Sequence, residues 1–271
     1  MKRTIGLLVV LGLIAAPASA GVIFEQDFSS STNVGDYVNA TATTANTTQF
    51  GLLDTADSAG VFDITSGALT LDRTPVGYAA NKMARGALDG GSLLSMKFDL
   101  KVTSANYAQN GTGFYLGAAS DASVNVLGPY NNRFIFLTFT GVDGDGFTMA
   151  AGGGSTSAKV TIGDTDQWAI FCNNTASAQS YAAPDGSTSS VAARSFDLWI
   201  DNTVMFDDEA RYASFSDTKI LSGFMMAWSK NDDGLWAFDN MVIRNDLDVV
   251  PEPGTLVLLG LGGLAALRRR K

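Results

Sequence analysis

The sequence predicts an all-β protein, an antiparallel β-sandwich with one apolar helix ahead of it and another behind. Three observations lead there. Short apolar-alternating segments recur between residues 21 and 248, separated by Gly, Asn and Asp turn signals. No long helical periodicity interrupts them. The two long apolar stretches lie at the ends of the chain, each beside basic residues.

At the N-terminus, Lys2 and Arg3 form a basic region, Ile5 to Ala16 an apolar stretch of about a dozen residues, and Ala18-Ser19-Ala20 a small-x-small cleavage site. Those are the three parts of a secretory signal peptide, so residues 1–20 are assigned to it and the mature chain is expected to begin near Gly21. A buried N-terminal helix is the competing reading, but Leu7-Leu8-Val9-Val10-Leu11 leaves it no polar face.

The β domain is assigned to residues 21–248. Its clearest strand is Leu94 to Val102, where every second residue is apolar and the rest are polar, so one face meets the core and the other meets water. Further strands are expected at 22–28, 67–71, 113–119, 133–139, 147–150, 159–162, 168–171, 221–228 and 235–243. Ser29 to Thr48 and Cys172 to Ala193 are rich in small polar residues and are read as long surface loops. Phe196 to Phe206 reads as a hairpin, with Asp201-Asn202 supplying a two-residue turn that needs positive φ.

At the C-terminus, Val250-Pro251-Glu252-Pro253 breaks the chain, Thr255 to Leu267 is apolar and uncharged, and Arg268, Arg269, Arg270 and Lys271 close it. Clustered positive charge stays cytoplasmic, so this helix is expected to act as a membrane stop with its C-terminus inward. Its core reaches about 20 Å, short of a hydrocarbon layer of roughly 30 Å, unless flanking residues and snorkelling arginines extend it. A temporary anchor follows.

Here the chain resembles a known signal. A Pro-Glu-Pro motif, a Gly-rich apolar helix and a terminal arginine cluster, in that order over residues 249–271, look like the PEP-CTERM sorting signal of Gram-negative bacteria. The resemblance implies recognition by an exosortase, an integral-membrane protease, and association with extracellular polysaccharide and biofilm. Physically, the two prolines keep the segment extended, the form in which proteases bind chains.

The hairpin at 196–206, the closing segment 236–243 and the opening segment 24–28 resemble strands of concanavalin A-like and laminin G-like jelly rolls, with Asn202 where glycine is usual. Another β-sandwich or a short β-helix is the alternative. The resemblance implies a structural calcium between first and last strands, with Asp239 as principal ligand and Asp27 or Glu25 beside it. Calcium takes six to eight oxygen ligands, a demand that Asp, Asn and carbonyl groups meet. Asp143-Gly144-Asp145-Gly146 has the alternation of a calcium loop but no downstream glutamate, and reads as a tight turn.

Charge and composition narrow the function. Without the two ends the balance is 12 basic against 26 acidic residues, near −14, which disfavours nucleic acid and anionic lipid as partners. The chain has no histidine, which excludes Ser-His-Asp and Cys-His catalysis and every histidine-bearing zinc site. Glycosidases need only two carboxyl groups, yet the β domain has just Glu25 and Glu209, and Asp207-Asp208 and Asp232-Asp233 read as loop pairs. Cys172, alone and beside Trp168, Ile170 and Phe171, is expected to be a buried apolar residue. Trp199 shares a strand face with Asp197 and Asp201, so an outward indole stacked on a sugar ring is weighed against one packed under a loop. The expectation is therefore a non-enzymatic surface or matrix protein, with a carbohydrate-binding lectin and a divergent glycoside hydrolase as alternatives.

Overall fold

The alternation read from Leu94 to Val102 is realised in the computed structural model, which describes residues 21–39, 47–55, 61–73, 81–107, 112–119, 127, 129–140, 145–152, 154–228 and 232–247. Leu94, Met96, Phe98, Leu100 and Val102 are buried while Lys101 stays exposed. The strands are β1 (Val22–Gln26), β2 (Leu52–Thr55), β3 (Val61–Thr65), β4 (Ala68–Asp72), β5 (Asn81–Arg85), β6 (Leu93–Tyr107), β7 (Gly113–Gly117), β8 (Arg133–Thr140) and β9 (Gly146–Ala151). There follow β10 (Val160–Thr161), β11 (Thr165–Asn173), β12 (Gln179–Ala182), β13 (Thr188–Val191), β14 (Ser195–Ile200), β15 (Thr203–Ala210), β16 (Gly223–Trp228) and β17 (Asp232–Arg244). One-turn 3-10 helices occupy Val34–Tyr37 and Tyr130–Asn132.

All the described strands except β12 and β13 form two antiparallel sheets. One runs β15-β14-β11-β6-β17-β4-β3, with β1 added beside β4 on the free edge of β17. The other runs β10-β9-β8-β7-β16-β5-β2. Their inner faces enclose one aromatic core: Trp228 and Trp236 meet edge-on at 5.7 Å, and Phe98 stacks on Trp168 at 5.6 Å. Two long strands with non-local partners and two facing sheets make this a jelly-roll type of β-sandwich, as the sequence predicts.

The hairpin at β14 and β15 turns where expected. Ile200 pairs with Thr203, Asp201 takes φ 53°, and its carboxylate accepts the Gln167 N–H at 2.9 Å. The segment read as a loop from Cys172 to Ala193 is different: Cys172 lies within β11, and β12 and β13 form a hairpin of their own. Its strands are too short and too polar to show apolar alternation. Three residues anchor it: Tyr181, Ala183 and Val191 are buried against Phe171, Trp199 and Leu247 on the outer side of the larger sheet. In Ser29 to Thr48, the described part contains the first 3-10 helix, capped by the Asn33 carboxamide accepting Gly35 N–H at 3.1 Å.

Candidate functional site

On the smaller sheet the outer face carries a group of aromatic rings. In β8, Ile135, Leu137 and Phe139 face the core, so Phe136, Thr138 and Thr140 point outward. In β7, Phe114 and Leu116 face inward and Tyr115 outward. Register places Tyr115 opposite Phe136, and their rings stack at 5.3 Å and 13°. The 3-10 turn before β8 adds Tyr130, and the segment after β15 adds Tyr212, whose N–H donates to the Phe134 carbonyl at 2.9 Å. Tyr130 and Tyr212 stack at 5.6 Å and 23°, and both meet the Phe136 ring edge-on near 6 Å. Tyr130 is 55% exposed.

Arg133 sits among these rings. Its guanidinium carbon lies 4.3 Å from the Tyr130 centroid, 4.4 Å from Tyr115 and 4.9 Å from Phe136, and its Nε donates to the Leu127 carbonyl at 2.7 Å. Such cation–π contacts fix ring planes as well as contributing attraction. Burial raises the Tyr115 phenol above its ordinary range, and the Arg133 charge opposes that rise. Two glycines make room: a Cβ on Gly152 would stand 2.7 Å from Tyr212 Cδ2, and one on Gly117 would stand 1.9 Å from the Asn132 carbonyl oxygen.

Beside the rings lies a cavity of about 330 Å³ lined by Ala118, Ala119, Asn132, Lys219, Ile220 and Ser222, among others. Lys219 Nζ donates to the Asn131 carbonyl at 2.6 Å and the Asn132 carboxamide at 2.8 Å, joining the cavity to the turn that carries Tyr130. Arg194, just before β14, and Arg211, just after β15, both pair with Asp217, and together they hold its carboxyl below the usual range.

The larger sheet carries a buried polar network on its outer face. Asp197 and Trp199 share that face, as the sequence predicts, but Trp199 is only 8% exposed because the β12–β13 hairpin covers it. Of the two readings the packed indole is the one found, which rules out the stacking of a sugar on an outward Trp199: its Nε1 donates to the Tyr181 hydroxyl at 2.8 Å. That hydroxyl donates in turn to Asp197 Oδ2 at 2.5 Å, and Asp197 Oδ1 accepts the Asp208 N–H at 2.7 Å. Burial pushes the Asp197 carboxyl up to about 6, against the pull of its hydrogen bonds from Tyr181 and Asp208. Burial and the bond to Asp197 raise the Tyr181 phenol.

The residues expected to hold calcium come partly together. Asp239 lies at the bulge of β17 between the portions paired to β4 and to β1, and Asn240 after it takes φ 49°. Burial raises the Asp239 carboxyl, and the charges of Asp99 and Asp27 add to the rise. Glu25 and Asp27 instead line a separate cavity of about 410 Å³ with Asp36 and Tyr37. Among the described residues, the carboxylates whose oxygens all lie within 4.8 Å of one another are Asp197, Asp207 and Asp208, a grouping that can hold a metal ion. Both oxygens of Asp197 are already engaged by protein donors there.

Glu25 and Glu209 lie on β1 and β15, five inter-strand steps apart in one sheet, about 24 Å at 4.8 Å per step. That is far beyond the separation of a glycosidase pair. Cys172 is buried, and burial raises its thiol. Asp143 and Gly144, the cleavage residues Ala18 and Ala20, the motif Val250 to Pro253 and the basic end Arg268 to Lys271 fall outside the described residues.

Sequence reasoning missed the ring surface. One signal was there: in Ile135-Phe136-Leu137-Thr138-Phe139-Thr140, Phe136 is the aromatic on the otherwise polar face. Tyr212 reaches it through loop geometry, and Arg133 through the register shift at the start of β8, neither of which a local pattern encodes.

No curated protein matches this chain. Solved structures similar to it include the potassium-bound carbohydrate recognition domain of Emp46p (11% identity, TM-score 0.44, covering 71% of this chain and 88% of that one). Others are a protein of unknown function with galectin-like fold from Bacillus subtilis (5%, TM-score 0.40, 69% and 86%) and the cellulose induced protein Cip1 (8%, TM-score 0.43, 70% and 87%). Residues 249–271 match the family described as the PEP-CTERM protein-sorting motif. This chain therefore carries a PEP-CTERM sorting signal behind a jelly-roll β-sandwich, and such a signal implies an exported, membrane-anchored precursor that an exosortase processes.

Proposed function

We propose that this is a non-enzymatic surface or matrix protein of a Gram-negative bacterium, parked in the inner membrane by its C-terminal helix, cut by an exosortase, and placed among extracellular polysaccharide. The sorting motif at residues 249–271 carries the reading. The absence of histidine from the sequence and the wide separation of Glu25 from Glu209 favour a binding or structural module over a hydrolase. A structural calcium at Asp239, with Asp27 near it, belongs to the same reading, supported by the place of Asp239 at the bulge of β17 beside the portion that pairs with β1.

Intact-mass measurement of the protein recovered from the cell surface tests it. The expected chain begins near Gly21 and lacks the basic end. Replacing Pro251, Glu252 and Pro253 with alanine is expected to leave uncut protein in the membrane fraction. Recovery of the natural chain from the cytosol with both ends intact would overturn the reading, and release of reducing sugar from a polysaccharide panel would overturn its non-enzymatic part.

A further inference from the structure

We propose that the ring surface around Arg133 is a binding site for an acidic polysaccharide, an assignment that rests on the association with extracellular polysaccharide inferred above. The rings are arranged as a platform: two nearly parallel pairs, Tyr115 on Phe136 and Tyr130 on Tyr212, meet edge to face and leave Tyr130 exposed. A sandwich with a complete aromatic core elsewhere gains nothing in its interior from four more rings on an outer face. The apolar C–H face of a pyranose ring is the flat, half-wet surface that exposed phenols accept, with the hydroxyls left to bond its oxygens.

Charge decides between neutral and acidic sugars. The exported chain is near −14, yet this end of the molecule gathers Arg133, Arg194, Arg211 and Lys219. Arg194 and Arg211 share Asp217 and have Asp208 and Glu209 beside them, so the positive charge at the rings is that of Arg133 and Lys219. Arg133 places its charge under the rings at 4.3 to 4.9 Å, and Lys219 stands at the rim of the adjoining cavity. A sugar ring on Tyr130 and Tyr212 thus lies over the field of the buried Arg133 charge and has the Lys219 ammonium beside the turn for its carboxylate. Single-stranded nucleic acid offers flat rings and negative charge as well. It would have to approach a strongly acidic protein through few cations, so the polysaccharide is favoured.

Affinity electrophoresis of the full-length protein provides the test, through gels containing polygalacturonate, hyaluronate or xanthan, with fully methyl-esterified pectin, a neutral glycan panel and single-stranded DNA as controls. At least one acidic polymer is expected to retard the protein. Tyr130→Ala is expected to weaken that retardation about ten-fold or more, and Lys219→Met and methyl esterification to weaken it too. Tyr130 is exposed, so circular dichroism of the variant is expected to match the parent. Retardation by none of the acidic polymers, or retardation indifferent to Tyr130→Ala, overturns the site. Equal retention on charged and esterified polymer overturns its preference for acid, and stronger retention on DNA overturns the ligand class. A blank result on every glycan removes the polysaccharide association itself, whereas binding independent of Tyr130 removes only this site.

Discussion

The Tyr181 hydroxyl stands between Asp197 and Trp199, donating to the carboxylate at 2.5 Å and accepting the indole N–H at 2.8 Å. One side chain from a small polar hairpin therefore satisfies two buried polar groups of the larger sheet. Its ring also stacks on Phe171 at 3.9 Å, so the hairpin is held by packing and by hydrogen bonds together. Removing the hydroxyl while keeping the ring separates the two. Tyr181→Phe is expected to cost about 2 kcal/mol, since an indole N–H and a carboxylate oxygen are left buried without partners. Urea denaturation followed by tryptophan fluorescence measures it, and an unchanged midpoint would show the hairpin held by packing alone.

Asp197 makes stability depend on pH in an unusual direction. Its folded carboxyl is pushed up to about 6 from an ordinary 3.8, chiefly by burial, and burial together with Asp201 and Asp164 does the same to Asp166. The folded state thus binds these protons more tightly than the unfolded chain. The penalty is fully present above about pH 6 and is relieved as pH falls toward about 4; for Asp197 it is about 3 kcal/mol. Below that, Asp217 and Asp27, whose carboxyls are held low by hydrogen bonds, begin to lose their contributions. Thermal melts across pH 3 to 8 are expected to peak between about 4 and 5. Asp197→Asn is expected to flatten the rise from pH 6 to 4.

Arg85 is 0% exposed at the end of β5, opposite Phe224, and its three guanidinium nitrogens have no hydrogen-bond partner among the described residues. Burial lowers its pKa, with no carboxylate among the described residues to offset the cost. A long apolar side chain in that place avoids the desolvation. Arg85→Met is expected to raise stability by about 1 kcal/mol or more, read as a higher denaturation midpoint. A fall would mean that the guanidinium has a partner in solution.

Gly117 controls how the turn bearing Tyr130 approaches the sheet. A methyl group there would stand 1.9 Å from the Asn132 carbonyl oxygen, and backbone cannot yield as a side chain can. Gly117→Ala is expected to destabilise by about 3 kcal/mol or more and to displace the turn, with both effects visible by denaturation and near-UV circular dichroism.

Strands with strong alternation could be read directly. The face of β6 and the two-residue turn at Asp201 follow from local pattern, because burying one face demands period-two apolarity. What stayed hidden depends on distant contacts. The β12–β13 hairpin has too few apolar residues to declare itself and acquires its core from Phe171, Trp199 and Leu247. For the same reason Trp199 could not be placed: its strand face was legible, but the hairpin lying over that face was not. The rings around Arg133 come from β7, β8, the Tyr130 turn and the segment after β15, and only the folded register brings them together.

The last strand, β17, lies between β6 on one side and both β1 and β4 on the other, and Gly21 and Asn245 bond each other in both directions. Among the described strands β1, the first in the chain, therefore pairs only with the last. The strands β6, β11, β14 and β15 can pair beforehand, but the two halves of this sheet join only when β17 enters between β6 and β4. Gly21 and Asn245 thus hold the two ends of the described sandwich side by side, and a cut anywhere beyond Leu247 would remove no residue from a described strand.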